Sequence, residues 1–148
     1  MTVRPGKPTG AASSFASGIF REPLNGEKSV LPVLKDVRLW VSSPRIVVEN
    51  LIRAMNLPPE KFENRSRIIN LPGITLSVQQ MLDAFKAVCG EGVLALIEEK
   101  KDADTQKIVD GWATKLDASK AESLGFVRDS SFEDILTEYI KNYIEQGQ

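Results

Sequence analysis

Histidine is missing altogether from this 148-residue sequence. Its absence excludes Ser-His-Asp and Cys-His nucleophilic catalysis and any histidine-containing zinc site. Acid–base chemistry would have to rest on Lys, Tyr, Asp or Glu. Cysteine is reduced to one residue, Cys89, so no intramolecular disulfide can form, which suits a reducing compartment. Cys89 adjoins an apolar helical face and reads as buried filler. An excess of either charge is missing too. Nineteen basic residues meet twenty acidic ones for a net charge of −1, and nothing suggests a nucleic acid or other polyanion as partner. No apolar run is long enough to span a membrane. The N-terminus lacks the basic-then-apolar order of a signal peptide. These absences make a cytoplasmic protein without membrane contact the expectation.

What is present is globular. Hydrophobic residues make up 42% and charged residues 26%, over a length that suits one domain, residues 1–148. There is no internal repeat, low-complexity tract or linker. The chain is organised around Arg67 to Gly90, RIINLPGITLSVQQMLDAFKAVCG. Ile68, Ile69 and Asn70 read as the end of a buried strand, broken by Pro72-Gly73. Ser77 and Gln80 have capping-box spacing. Val78, Met81, Leu82, Phe85 and Val88 then recur at helical spacing, and Gly90 stands where a left-handed C-cap belongs.

Elsewhere, Thr2 to Arg4 suits the end of a strand, and Pro5, Gly6, Pro8 and Gly10 force a loop. Ala11 to Arg21 is helix-compatible, with Phe15, Ile19 and Phe20 apolar. Its small polar start offers backbone N–H groups to an anion, although plain solvation is the simpler reading. Glu22 to Pro32 reads as a loop and Val37 to Val41 as a strand. Ser43 is an N-cap with Pro44 at the first helical position. The helix after it, 44–55, shows Ile46, Val47, Leu51 and Ala54 as its apolar face. Val93 to Ile97 reads as a short strand, and Glu98 to Asp104 as a solvated mixture of charges with no metal site. Asp117 can cap a short helix, 118–123. Ser130 with Glu133 repeats the capping-box spacing ahead of a helix over 131–145, on whose apolar face Tyr139 and Tyr143 are packing residues.

Three segments in this order resemble the C-terminal portion of an extended short-chain dehydrogenase/reductase, the NAD-dependent epimerase/dehydratase family of sugar enzymes. They are Leu39-Trp40-Val41 with Ser43-Pro44-Arg45; Ile69-Asn70-Leu71-Pro72-Gly73 with Leu76-Ser77-Val78; and Asp117 to Ala121, Leu124-Gly125-Phe126 and Ser131 to Ile135. Val3 to Pro8, Ala11 to Phe15, Ile19 to Leu24 and Leu71-Pro72-Gly73 are similar to the branch that acts on sugar acids, the D-erythronate dehydrogenases. The resemblance implies an α/β fold: the substrate-lobe portion of such an enzyme, with short strands and packed helices but no complete Rossmann fold. It implies Arg4, Pro5 and Gly6 near cofactor, and Ser13, Ser14, Arg21 and Arg45 near substrate. An arginine suits a carboxylate through paired N–H bonds.

The departures from the family matter as much. The glycine fingerprint that brings a dinucleotide pyrophosphate to a helix N-terminus is missing. So is the Tyr-x-x-x-Lys pair: four residues after Tyr139 comes Tyr143, and four after that Gly147. The chain reads as starting where the catalytic half of the family would already have ended. No catalytic residue, no metal and no cofactor is expected for this chain alone, NAD belonging to the full-length family. The first expectation is a substrate-binding lobe without redox activity of its own. The alternatives are a recruited binding or interaction protein, and a small NAD-independent lyase or isomerase. The expected partners are a sugar acid or other small molecule, and either a second copy or a chain supplying the missing half. The candidate contacts are the strand edge at 37–41 and the helix carrying Phe15, Ile19 and Phe20.

Overall fold

The computed structural model describes residues 3–62 and 66–145. A turn of 3-10 helix, Ala12–Ser14, leads into α1, Phe15–Leu24. Then follow β1 (Ser29–Leu31), β2 (Arg38–Val41), α2 (Pro44–Asn56), β3 (Ile74–Ser77) and α3 (Val78–Cys89). After a 3-10 stretch, Glu91–Leu96, come β4 (Ile97–Glu99), α4 (Ala103–Asp110), α5 (Ser119–Ser123) and α6 (Phe132–Tyr139). The helix of α6 widens into a π turn over Ile140–Ile144. The strands form two ribbons: β1 runs parallel to β4, and β2 antiparallel to β3 with Val41 opposite Ile74 and Arg38 opposite Ser77. The expected α/β class, short strands with packed helices, is what the chain adopts.

The core lies where α1, α3 and α6 meet. Phe20, Phe85 and Phe132 are buried there, and Phe20 presents its ring edge-on to both others, with centroids 5.2 and 5.0 Å apart. Edge-to-face packing is the geometry that ring quadrupoles favour. Ile19, Met81, Leu82, Ile135 and Leu136 complete this core. Phe15, Ile19 and Phe20 therefore have partners within the chain. Their expected role as an outward contact is overturned, because α1 is the core helix onto which α3 and α6 pack.

Local signals fare well. Ser43 Oγ accepts from Ile46 N–H at 3.2 Å, with Pro44 next in line. Ser77 and Gln80 form the reciprocal capping box at 3.1 and 2.9 Å. Gly90 has the expected positive φ, 83°, but its ψ of 173° carries the chain into the 3-10 stretch instead of closing a left-handed cap. At α6 the cap is Ser131, not Ser130: Ser131 Oγ accepts from Asp134 N–H. Asp102, within the charged segment expected to be loop, accepts from Thr105 N–H at 2.7 Å and starts α4. Those hydrogen bonds hold its carboxyl below the usual range. Asp117 accepts from Ser119 N–H beside α5 in the same way.

Strand positions are where the structure departs from the sequence reading. Residues 67–70 form no strand, and Ile68 is 81% exposed. The strand is β3, beyond Pro72-Gly73. A Cβ at Gly73 would lie 2.7 Å from the Val41 carbonyl oxygen and 2.8 Å from Trp40 Nε1, so only glycine lets the chain enter the ladder there. Val93 and Leu94 half-bury themselves from a 3-10 turn, and the strand near 93–97 begins only at Ile97. The expected loop 22–32 contains β1. Val3 is buried but lies in no strand, and Thr2 falls outside the described residues.

The apolar face of α2 is only partly as expected: Ile46 is buried and Val47 half-buried, but Leu51 and Ala54 are exposed. Its inward positions are Ile46 and Asn50, while Val48, Leu51, Ile52 and Met55 are 52–84% exposed. Asn50, fully buried, donates to the Val127 carbonyl at 2.8 Å and accepts from Val127 N–H at 2.9 Å. Asp129 accepts from Ser43 N–H at 2.8 Å and from the Ser42 hydroxyl at 3.2 Å. A polar clamp therefore fixes α2 where an apolar seam was expected.

Candidate functional site

Arg4 and Arg21 come together at the base of α1. Buried Val3 anchors the segment, and Arg21 Nη1 donates to the Arg4 carbonyl at 3.4 Å. Pro5 and Gly6 follow in exposed chain, Gly6 at a φ of 99°. Arg21 is only 5% exposed, and its Nη2 donates to Glu22 Oε1 at 2.5 Å. A guanidinium and carboxylate that close balance each other's charge before any ligand arrives. Tyr139 packs next to this pair. Burial holds its phenol above the ordinary range; the Arg21 charge opposes that, and Glu22 and Tyr143 add to it. A phenol held neutral in this way is no ready general base.

Arg45 stands on a different wall. In the first turn of α2, its Nε donates to Glu138 Oε2 at 2.7 Å and its Nη1 to Glu49 Oε2 at 3.2 Å. The bond to Glu138 raises its pKa and secures its charge. Beside it opens a cavity of about 300 Å³, lined by Val3, Ser43, Arg45, Glu138, Tyr139 and Tyr143 among others. Tyr143 is 48% exposed at its rim, so of the two tyrosines only Tyr139 is a buried packing residue.

Ser14 belongs to a second cavity, of about 310 Å³, between α1 and β1. Its Oγ accepts from Thr9 N–H at 3.1 Å, tying the proline-rich loop to the helix start. Gly18, Glu22, Lys28 and Ser29 share the lining. Ser13 sits half-buried in the 3-10 turn one residue earlier. The structure thus joins Arg4 to Arg21, sets Ser14 on the cavity beyond Glu22, and leaves Arg45 in a separate hollow. Glu22, Lys28, Ser29, Glu138 and Tyr143 were not singled out from the sequence as site residues. The only local sign of Glu22 is its place in Arg-Glu-Pro at the end of an apolar helix, which reads as surface charge until the fold buries it. Among the described residues no group of three Asp, Glu, Cys or His side chains is placed to hold a metal. No helix among them is long and apolar enough to cross a membrane.

A helical lobe with two short strand ribbons, this chain is similar to a portion of extended short-chain dehydrogenases/reductases of the epimerase type. The relatives say which kind. The chain is 44% identical over 139 residues to D-erythronate dehydrogenase of Haemophilus influenzae, a match covering 94% of this chain and 44% of that protein. It is 39% identical over 142 residues to D-erythronate dehydrogenase of Cupriavidus necator, covering 96% of this chain and 44% of that one. The crystal structure of the nucleoside-diphosphate-sugar epimerase from Agrobacterium tumefaciens superposes with a TM-score of 0.92 at 39% identity, over 97% of this chain and 42% of that one. The chain spans less than half the length of each. No protein-family profile matches it.

Proposed function

We propose that this chain is the substrate-binding lobe of a sugar-acid or nucleotide-sugar oxidoreductase of the epimerase/dehydratase type, without redox activity alone. The observation that carries the reading is the junction at α1: Arg4 and Arg21 bonded to each other, with Ser14 on the adjoining cavity. The bond between Arg4, implied for cofactor, and Arg21, implied for substrate, supports this reading. The open backbone around Gly6, with no atom within 4 Å of where a Cβ would stand, supports approach of a nicotinamide end to Arg4–Gly6. NAD, when bound, supplies hydride chemistry. The residues here offer it one flank only, because the sequence contains no glycine fingerprint for its phosphates. Ser13, Ser14, Arg21 and Arg45 remain the proposed substrate residues, Arg21 orienting Glu22 and Arg45 facing its own cavity. Calorimetry with NAD, and NADH absorbance in the presence of erythronate, test this. The expected result is neither saturable micromolar NAD binding nor turnover; either one overturns the reading.

The exposed face of α2 favours a second element, an interaction role. Val48, Leu51, Ile52 and Met55 recur at helical spacing with 52–84% exposure. Contiguous apolar faces of this kind mark interaction sites on soluble proteins. We propose that they seat a second copy in a two-fold dimer, with a chain of different sequence as the competing partner. Light scattering over the micromolar range is expected to give a dimer, and Leu51→Asp with Met55→Asp a folded monomer. A wild-type monomer throughout that range overturns the dimer.

A further inference from the structure

We propose that the Asn25-Gly26 turn after α1 is a deamidation site gated by the fold: a latch that shields the asparagine while closed and closes poorly once the asparagine has reacted. The inference is independent of what the lobe binds.

Asn25-Gly26 is the one Asn-Gly pair in the sequence. Both residues are exposed, and Gly26 puts no side chain in the way of its own backbone nitrogen. The reaction is intramolecular. The Gly26 nitrogen attacks Asn25 Cγ, and the new N–Cγ bond replaces the Cγ–Nδ2 bond. Ammonia leaves, carrying the proton that the Gly26 nitrogen gives up. Water then opens the cyclic imide at either carbonyl and leaves aspartate or isoaspartate.

The closed turn blocks the first step. At Asn25 ψ is 10°, which eclipses the Gly26 nitrogen with Asn25's own nitrogen and turns it away from the side chain. Gly26 N–H donates to the Pro23 carbonyl at 3.0 Å. Asn25 Nδ2, the leaving group, donates to the Arg21 carbonyl at 2.8 Å. Attack needs rotation about the Asn25 Cα–C bond, and that swing also pulls Glu27 N–H from the Glu22 carbonyl, a bond of 2.9 Å. The end of α1 is built to open. Pro23 lies inside the helix and has no N–H for the Ile19 carbonyl, so the last turn is short of a bond. Weakly held ends are where local opening costs least.

The product fits the turn badly. An aspartate in place of Asn25 has no donor for the Arg21 carbonyl and sets a negative charge at the negative end of the helix dipole. An isoaspartate adds a methylene to the main chain and shifts Gly26 and Glu27 off their acceptors. The damage falls beside the buried Arg21–Glu22 pair. Asn56 is an internal control. At the end of α2 its Nδ2 donates to the Ile52 carbonyl at 3.0 Å, the same kind of cap, but Leu57 follows it and hinders attack.

Peptide mass spectrometry on the full chain, held warm at mildly alkaline pH, reads the change of amide to acid. Asn25 is expected to convert while Asn56 stays intact, and strong urea should speed conversion at Asn25 by about tenfold or more as the turn is lost. Gly26 stands at a φ of 75°, so Gly26→Ala strains the folded turn and is read in urea only, where it should slow conversion. Pro23→Ala restores the missing donor and should slow conversion in buffer but not in urea. Asn25→Asp, which imitates one product, should exchange its Gly26 and Glu27 amide hydrogens about tenfold faster than wild type, the worth of one hydrogen bond. Circular dichroism reports the folding of each variant. The wild-type rates in buffer and urea need no variant, so the test stands even if Pro23→Ala, at a buried position, unfolds. No conversion at Asn25 in urea overturns the site. Equal rates in buffer and urea overturn the gate, and wild-type exchange in Asn25→Asp overturns the latch.

Discussion

Phe20→Ala is expected to lower stability by about 3–5 kcal/mol, the usual cost of emptying a buried phenylalanine site. Small domains have about 5–15 kcal/mol in total, so much of the fold's margin would go. The reason lies in where α1 sits. Phe20 is fully buried and meets Phe85 and Phe132 edge-on, so truncation empties the place where α1, α3 and α6 meet. In urea, the unfolding midpoint should fall by roughly 1–5 M, taking a slope of about 1–3 kcal/mol per molar. Phe20→Leu keeps most of the volume and should cost about 1–1.5 kcal/mol. If Phe20 were a contact between copies, the loss would appear in light scattering before it appeared in denaturation. An unchanged midpoint with a lost dimer would return α1 to the surface.

The legible parts of this fold are those decided within one turn of helix. Ser43-Pro44 and Ser77 with Gln80 specify their helix starts through bonds to residues three positions away, and both helices begin there. What was illegible depends on distant partners. Ile68 and Ile69 are as β-prone as Ile74 and Leu76. Only the register against Arg38–Val41, and the fit of Gly73 under Trp40, decide which pair joins a ladder. Ser130 and Ser131 both precede an acid at capping distance, and Ser131 is the one whose Oγ accepts from the N–H three residues on. The site divides in the same way. Ser14 and Arg21 were nameable through a resemblance to known enzymes. Glu22 and Ser29 become notable only once the packing of α1 on β1 buries Glu22 Oε2 and Ser29 Oγ without a partner among the described residues. Composition gives no sign of that, since one glutamate and one serine near a helix end are ordinary surface residues until the fold places them.

The second large effect concerns α2, where a pattern reading and the structure disagree most. Leu51 and Ala54 look like core and are exposed; Asn50 looks like surface and is fully buried. Asn50 satisfies both backbone groups of one residue, donating to Val127 O and accepting from Val127 N–H across 77 residues of chain. Asn50→Leu retains the volume but leaves two backbone groups unpaired. At about 1–3 kcal/mol for each unmet group, less what the leucine gains by burial, the net loss should be about 2–4 kcal/mol. Leu51→Ala on the exposed face should change stability by less than about 0.5 kcal/mol in the monomer. Asn50→Asp adds a pH dependence whose sign follows from burial. The introduced carboxyl would keep the acceptor for Val127 N–H but, once ionised, would set a negative charge against the Val127 carbonyl in a buried site. Both effects favour the protonated form and raise the folded-state pKa above the unfolded value of about 3.9. The variant should therefore be most stable below about pH 4, where the new carboxyl is protonated in both states, and should lose stability as pH rises from there through the folded-state pKa. Urea unfolding at pH 4 and pH 7 reads this directly. Equal loss at both pH values, or a leucine variant as stable as wild type, would mean that the clamp on Val127 does not hold α2 to the lobe.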